Sequence, residues 1–217
     1  MKKSVLLIGL GRYGRHTARM LHDLGHEILA VDKDEERVNM VLPYVTNAIV
    51  ADSTVPQFLE SLGLRDFDLC LVAIGDDFQS SLETTSLLKE AGAKFVVSRA
   101  SRGIHEKFLL RNGADEVVYP EKQLANWTAM RYGYDHILDY FQLSDKYGVY
   151  ELDVPQEWQG HTIGELSIRQ KYHVNILGIK QGGHHLVVEV TPQTEFQAGD
   201  TVLLVGSRNT LQKFFHI

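Results

Sequence analysis

The chain contains one cysteine in 217 residues, no excess of positive charge and no long apolar run. Each absence removes a class of protein. Cys70, set inside the apolar run Leu69 to Ile74, has no disulfide partner and no neighbouring ligand with which to hold a metal. It reads as a small buried residue of a protein that works in a reducing cytoplasm. The formal net charge is −6, and the balance is acidic on both sides of Ser144. Neither half therefore offers a basic face, and nucleic acid is not the expected partner. Too few apolar residues follow Met1-Lys2-Lys3 before Gly9 and Arg12 to form a signal-peptide core, and no stretch approaches the length of a membrane span. If the protein works at a membrane, something else anchors it.

With 44% hydrophobic residues a packed core is affordable, and the most informative stretch is residues 4–32. Ser4 to Ile8 is a short apolar strand, and Gly9, Gly11 and Gly14 supply G-x-G-x-x-G. A helix follows, and a second apolar strand, Glu27 to Val31, leads into Asp32. Gly9 permits the tight turn, Gly11 lets the backbone approach a pyrophosphate, and Gly14 lets the helix pack close to the sheet. Phosphate would sit on the free N–H groups at the helix start. Asp32 is placed to accept hydrogen bonds from ribose hydroxyls. Its charge disfavours the 2′-phosphate of NADP, a preference softened by Lys33.

Strand-and-helix alternation continues. Thr17, Leu21 and Leu24 form a stripe on the first helix, Asp34 can cap a second, and Ala48 to Ala51 is a third strand ending at Asp52. Thr54 can cap the next helix or touch a ligand. Leu69 to Ile74 is a fully apolar strand, the pattern of a parallel sheet covered on both faces. The helix 78–91 turns Leu82, Leu87 and Leu88 inward, with Asp77 as its cap. Strands at 95–98 and 116–119 complete a doubly wound α/β sheet, with the ligand expected at the carboxyl ends of its strands.

From Glu121 the pattern changes. Residues 121 to about 143 read as a helix leaving the sheet, with a hinge at 144–148. Seven of the twenty aromatic residues fall between Trp127 and Tyr150, which suits an intersubunit helix and also an aromatic core helix. The remainder is a small α+β module with a Gly182-Gly183 hairpin and a closing helix at 209–215. The expected division is 1–120, 121–147 and 148–217.

Gly-Leu-Gly-Arg-Tyr-Gly, Asp32, Ala51-Asp52-Ser53-Thr54, Ala73-Ile74-Gly75-Asp76-Asp77, Tyr119-Pro120-Glu121 and Gly199-Asp200 through Gly206 together resemble the RCK (KTN) cytosolic subunits of Ktr and Trk potassium transporters. The likeness spans the chain, an RCK-N domain followed by an RCK-C domain. It implies a regulatory subunit and not an enzyme: dimers assembled into an octameric ring beneath a membrane pore subunit of the potassium transporter, with a shape that responds to bound ATP or ADP. The nucleotide site it implies comprises Gly9, Gly11, Arg12, Tyr13, Gly14, Asp32, Lys33, Asp52, Ser53, Ile74, Gly75, Asp76 and Arg99. In that family the arginine matching Arg12 reaches the terminal phosphate. The glutamate matching Glu121 helps to hold a divalent cation, Mg²⁺ or Ca²⁺, between two nucleotide sites. Ile163, Arg169, Asn175, Ile176 and Pro192 match positions that enclose cyclic di-AMP between two RCK-C domains.

Other readings of the same residues stay open. Arg12 also fits a solvated loop charge, Arg99 an ion pair with a neighbouring helix, Glu121 a helix N-terminal acid, and Ile163 and Ile176 a hairpin core. NADH remains an alternative ligand. An NAD-dependent oxidoreductase would need a larger substrate domain and a His-acid or Lys-Tyr pair beside the hydride, and a redox-sensing repressor would need a basic recognition helix.

Overall fold

The computed structural model describes residues 2–215. The chain divides into two compact units, with the boundary between Lys122 and Gln123.

The first unit runs β1 (Ser4–Ile8), α1 (Arg12–Asp23), β2 (Glu27–Asp32), α2 (Glu35–Val41), β3 (Asn47–Val50), α3 (Pro56–Ser61), β4 (Leu69–Val72), α4 (Phe78–Glu90), β5 (Val96–Arg99), α5 (Gly103–Arg111) and β6 (Glu116–Val118). Its six strands lie in the order β3-β2-β1-β4-β5-β6, and neighbouring strands pair in parallel. Strand order reverses between β1 and β4, the switch point at which open α/β sheets leave a crevice. Period-2 alternation fills both faces. Leu6 and Ile8 join Leu59, Cys70, Val72 and Leu88 on one side, and Leu7 joins Ala18, Ile28, Ala30 and Val38 on the other. Burial pushes the Cys70 thiol up to about 12, which keeps it protonated and inert.

Two helix faces differ in part from the expected ones. In α1 the inward positions are Gly14 and Ala18, while Leu24 is the exposed C-cap. Small residues win there because the helix lies so close to the strand loop that a Cβ on Gly14 would overlap the Gly9 carbonyl. In α4 Leu88 is buried and Leu82 and Leu87 are half-buried against the cores, as expected, and the buried stripe also takes in Ser81, Thr84 and Thr85. Each hydroxyl is satisfied: Thr84 bonds Ser53 at 2.8 Å, Thr85 bonds Ser98 at 2.8 Å, and Ser81 bonds His105 at 3.2 Å. Pairing removes the penalty of burying them.

The helix from Glu121 is shorter than its composition implies. α6 (Pro120–Tyr132) carries the chain across the boundary, and residues 137–142 form strand β7 (Ile137–Gln142), not helix. Gly133 ends the hydrogen-bonded run, its N–H reaching the Ala129 carbonyl. Strand β7 pairs antiparallel with β8 (Tyr147–Asp153), so the expected hinge is a hairpin turn in which the Leu143 and Ser144 N–H groups both bond the Tyr147 carbonyl. The aromatics of this stretch divide accordingly. Tyr150 is buried in the second core, whereas Tyr132, Phe141 and Tyr147 are exposed.

The second unit continues with α7 (Ile163–Leu166), α8 (Ile168–Tyr172), β9 (Asn175–Gln181), β10 (His185–Val187), β11 (Thr201–Ser207) and α9 (Arg208–Phe215). Its sheet has the order β10-β9-β11-β8-β7, with antiparallel pairings. Tyr150, Trp158, Ile168, Tyr172, Phe196 and Val202 build its core. Among the described residues, no helix is long and apolar enough to cross a membrane.

Candidate functional site

The site is assembled at the carboxyl ends of β1, β2, β4 and β5. Gly9 leaves β1 with φ +93°, a conformation disfavoured for any residue with a Cβ, and its N–H bonds the Val31 carbonyl at 2.8 Å. Gly11 is the N-cap of α1, no side chain caps that helix, and no acid occupies its first turn. A Cβ built on Gly11 would meet nothing within 4 Å. The first-turn amides and the positive helix end therefore face an open, methyl-free cradle of the kind that receives phosphate.

Asp32 stands at the adjacent strand end and is 7% exposed. Its Oδ2 accepts the Leu10 N–H at 2.6 Å and its Oδ1 the Asp34 N–H at 2.9 Å, with the Arg37 guanidinium 3.9 Å away. The carboxylate thus staples the glycine loop to the start of α2. With about four acceptor positions on a carboxylate, a ribose hydroxyl can share it.

Arg99, at the end of β5, brings a guanidinium to the strand ends. Gly75 makes room for it, since a Cβ there would overlap the guanidinium, and the guanidinium carbon lies 5.5 Å from the Tyr13 ring centroid. Its Nη2 donates to Glu121 Oε1 at 2.5 Å, while its Nε is buried with no hydrogen-bond partner among the described residues. The expected alternative of an ion pair with a neighbouring helix is therefore realised, yet one buried N–H remains unmatched. Burial opposes the charge on Glu121, but its own backbone N–H, the Arg99 hydrogen bond and the charges of Arg99 and Arg12 outweigh it and hold the carboxyl below its ordinary range. Arg12 is exposed, and its side chain makes no hydrogen bond or ion pair among the described residues.

The remaining expected site residues fall into two groups. Lys33 and Asp76 are exposed at the rim, and Ile74 forms the wall against Gly9. Asp52 and Ser53 are committed locally. The Thr54 backbone N–H and hydroxyl bond Asp52 and hold its carboxyl below the usual range, helped by the charge of Lys33. Ser53 is buried, with its hydroxyl turned to Thr84. Thr54 does not cap α3, whose N-cap is Val55. Asp77 does cap α4, through the Ser80 N–H. Among the described residues, no three of His, Cys, Asp and Glu are grouped to hold a metal.

In the second unit, the Ile163 N–H bonds the Thr194 carbonyl and the Gly164 N–H bonds the Pro192 carbonyl, which brings the start of α7 to the 191–194 turn. Ile163 and Ile176 are half-buried against the core, whereas Arg169, Asn175 and Pro192 are exposed. They form a surface and not an enclosed pocket.

A TrkA-N domain matches residues 5–120 and a TrkA-C domain residues 149–217. Over 214 residues the chain is 36% identical to Ktr system potassium uptake protein C of Bacillus subtilis, covering 99% of this chain and 96% of that one. It is likewise 36% identical over 212 residues to Ktr system potassium uptake protein A of the same organism, covering 98% and 95%. Among solved structures, the GsuK RCK domain superposes with a TM-score of 0.67 at 18% identity, covering 97% of this chain and 46% of that one. The GsuK channel bound to NAD gives 0.68, also at 18% identity, covering 97% and 38%. This chain thus spans less than half the length of those two chains, and their likeness speaks to the fold. The two domain matches, in this order and over nearly the whole length, together with the Bacillus relatives, place the chain in the RCK family, as an RCK-N and RCK-C protein of the Ktr potassium uptake type.

Proposed function

We propose that the chain is a nucleotide-sensing regulatory subunit and not an enzyme, and that it controls a membrane potassium transporter by binding ATP or ADP at the strand ends of its first unit. The observation that carries this reading is the buried, unpartnered Nε of Arg99 beside the open cradle over Gly11. An orphaned buried donor costs about 1–3 kcal/mol, and a polyphosphate oxygen is an acceptor that would remove that cost. In this reading the α1 amides take the inner phosphates, Asp32 the ribose, and Arg12 and Arg99 the terminal phosphate through charge-assisted hydrogen bonds.

Glu121 then exchanges its arginine for a shared role. When phosphate draws Arg99 away, the freed carboxylate can turn to Mg²⁺ or Ca²⁺ between two facing triphosphates. The assembly in this reading is a ring of dimers, octameric in the Ktr type, held at the inner face of the membrane by the pore subunit. Control follows if ATP and ADP favour different ring shapes. The exposed Arg169, Asn175 and Pro192 beside Ile163 and Ile176 fit a second ligand, cyclic di-AMP, clasped between two copies.

NAD(H) is the second reading, favoured by Asp32, which serves the adenosine ribose of a dinucleotide equally well. GsuK has been solved both with NAD and with ADP. The experiment is to identify the copurifying nucleotide and then measure ATP, ADP and NADH affinities for the wild type and Arg12→Ala. The expected result is a preference for ATP over ADP that Arg12→Ala reduces by roughly tenfold, one charged hydrogen bond's worth, with adenosine recognition intact. Tight NADH binding with no ATP preference would replace the proposal with its alternative.

A further inference from the structure

Below the strand ends lies a polar cluster to which the proposed function assigns no role. His105 is fully buried. Its Nδ1 receives the Ser101 backbone N–H at 3.3 Å and stands 3.4 Å from the Ser101 hydroxyl, its Nε2 lies 3.2 Å from the Ser81 hydroxyl, and the Phe78 ring is 4.9 Å away. A backbone N–H only donates, so Nδ1 carries a lone pair. In the neutral ring the proton is then on Nε2, which donates to Ser81. A protonated ring would have N–H groups at both nitrogens and would confront the Ser101 amide with another donor.

The surroundings favour the neutral form. Burial is the main cause that lowers the affinity of His105 for a proton, followed by the charges of Arg102 and Arg99. Those are the charged groups it faces. Ser81 and Phe78 from α4 and Ser101 from the loop are neutral.

This ring holds the segment that follows Arg99. Ala100 is fixed to β6 by its N–H to the Val118 carbonyl at 2.8 Å, and Ser101 is fixed by His105. Arg102, the N-cap of α5, makes no side-chain capping bond. His105, the third residue of that helix, reaches back as the glutamate of a capping box does, but one residue further. We propose that His105, as the neutral Nε2–H tautomer, is a positioning residue that sets the strand end so that the Arg99 guanidinium discriminates a nucleoside triphosphate from a diphosphate. This rests on the ATP/ADP reading above.

The test uses the full chain and measures ATP, ADP and AMP affinities from about pH 7.5 down to about 4.5, a window that runs below the ordinary histidine range because burial lowers the proton affinity of His105. His105→Asn puts an amide oxygen where Nδ1 stands and keeps the Ser101 acceptor, whereas His105→Gln extends past it. Wild type should prefer ATP less as the pH falls. His105→Asn should keep the neutral-pH preference within about twofold and lose its acid sensitivity beyond that of the nucleotide itself. His105→Gln should lose roughly tenfold of the preference, the effect of misplacing one charged hydrogen bond, with AMP affinity unchanged. Imidazole nitrogen NMR of the wild type should show the Nε2–H tautomer.

A His105→Gln variant that keeps the preference, a His105→Asn variant that loses it equally, or a proton found on Nδ1 would each overturn the inference. Wild type that binds AMP but does not distinguish ATP from ADP would overturn the functional reading as well, which separates the two failures.

Discussion

The two units place their candidate ligand residues differently. In the first, Gly9, Gly11, Gly75 and Asp32 are fixed by the sheet, and the cradle is built from the backbone itself. In the second, Arg169, Asn175 and Pro192 project from an outer surface whose apolar neighbours Ile163 and Ile176 already pack on the core. A parallel sheet makes a site by geometry, because every strand points its carboxyl end at one crevice. An antiparallel sheet of this size buries one face and leaves the rest as surface, so a ligand there requires a second surface to close over it.

The largest expected effect tests the core under that surface. Trp158→Ala should cost about 3–5 kcal/mol, read as a loss of the urea transition of the second unit, because Trp158 is fully buried between Tyr172 and Phe196. A shift under 1 kcal/mol would show that this core is not what supports the surface.

A glycine pair sharpens the contrast in the first unit. Gly14→Ala forces a Cβ into the Gly9 carbonyl and should cost about 1–3 kcal/mol along with nucleotide affinity. Gly11→Ala meets no atom, so its melting temperature should hold while ATP affinity falls roughly tenfold or more, the equivalent of a lost phosphate contact. Equal behaviour of the two variants in both assays would break the idea of a cradle built from the backbone.

Dilution separates the units more gently. If two copies close over Arg169 and Asn175, cyclic di-AMP binding should weaken as dimers dissociate, and ATP binding should change less. Cyclic di-AMP binding that survives in demonstrated monomers would remove the difference.

Acid gives the smallest effect. Burial works against the charge of Asp115, yet the Val96 N–H at 2.7 Å and the Lys89 ammonium at 2.9 Å hold its carboxyl below the ordinary 3.8. A carboxyl lowered on folding contributes fully above that value, and the contribution is lost as the pH falls through the folded value. Wild type should therefore lose stability below about pH 4, and Asp115→Asn should lose less over the same interval, as followed by thermal unfolding.

Much of this was legible in the sequence because it depends on residues with few alternatives. Three glycines at fixed spacing after an apolar strand, with an acid at the tip of the next, leave little freedom, and Gly9, Gly11, Gly14 and Asp32 stand where that pattern puts them. The end of α6 was harder to see. The aromatic residues around it fit a helix and a strand equally well, and Gly133 marks the stop only once strand β8 is present to pair with 137–142. On α4 apolar periodicity finds Leu82, Leu87 and Leu88 but misses the rest of the buried face, since Ser81, Thr84 and Thr85 are polar. Their burial is licensed by distant partners, Ser53, Ser98 and His105, which sequence alone does not bring together. Arg99 shows the ion-pair reading, with Glu121, and retains one buried N–H without a partner among the described residues.

Helix α6 begins at Pro120, carries the arginine-bound Glu121 in its first turn and continues without a break past Lys122 to Tyr132. Thirteen helical residues form a rod about 20 Å long with no soft joint inside it. Within the helix the backbone ladder ties each turn to the next, so the Arg99–Glu121 pair also pins the start of that ladder to the end of β5.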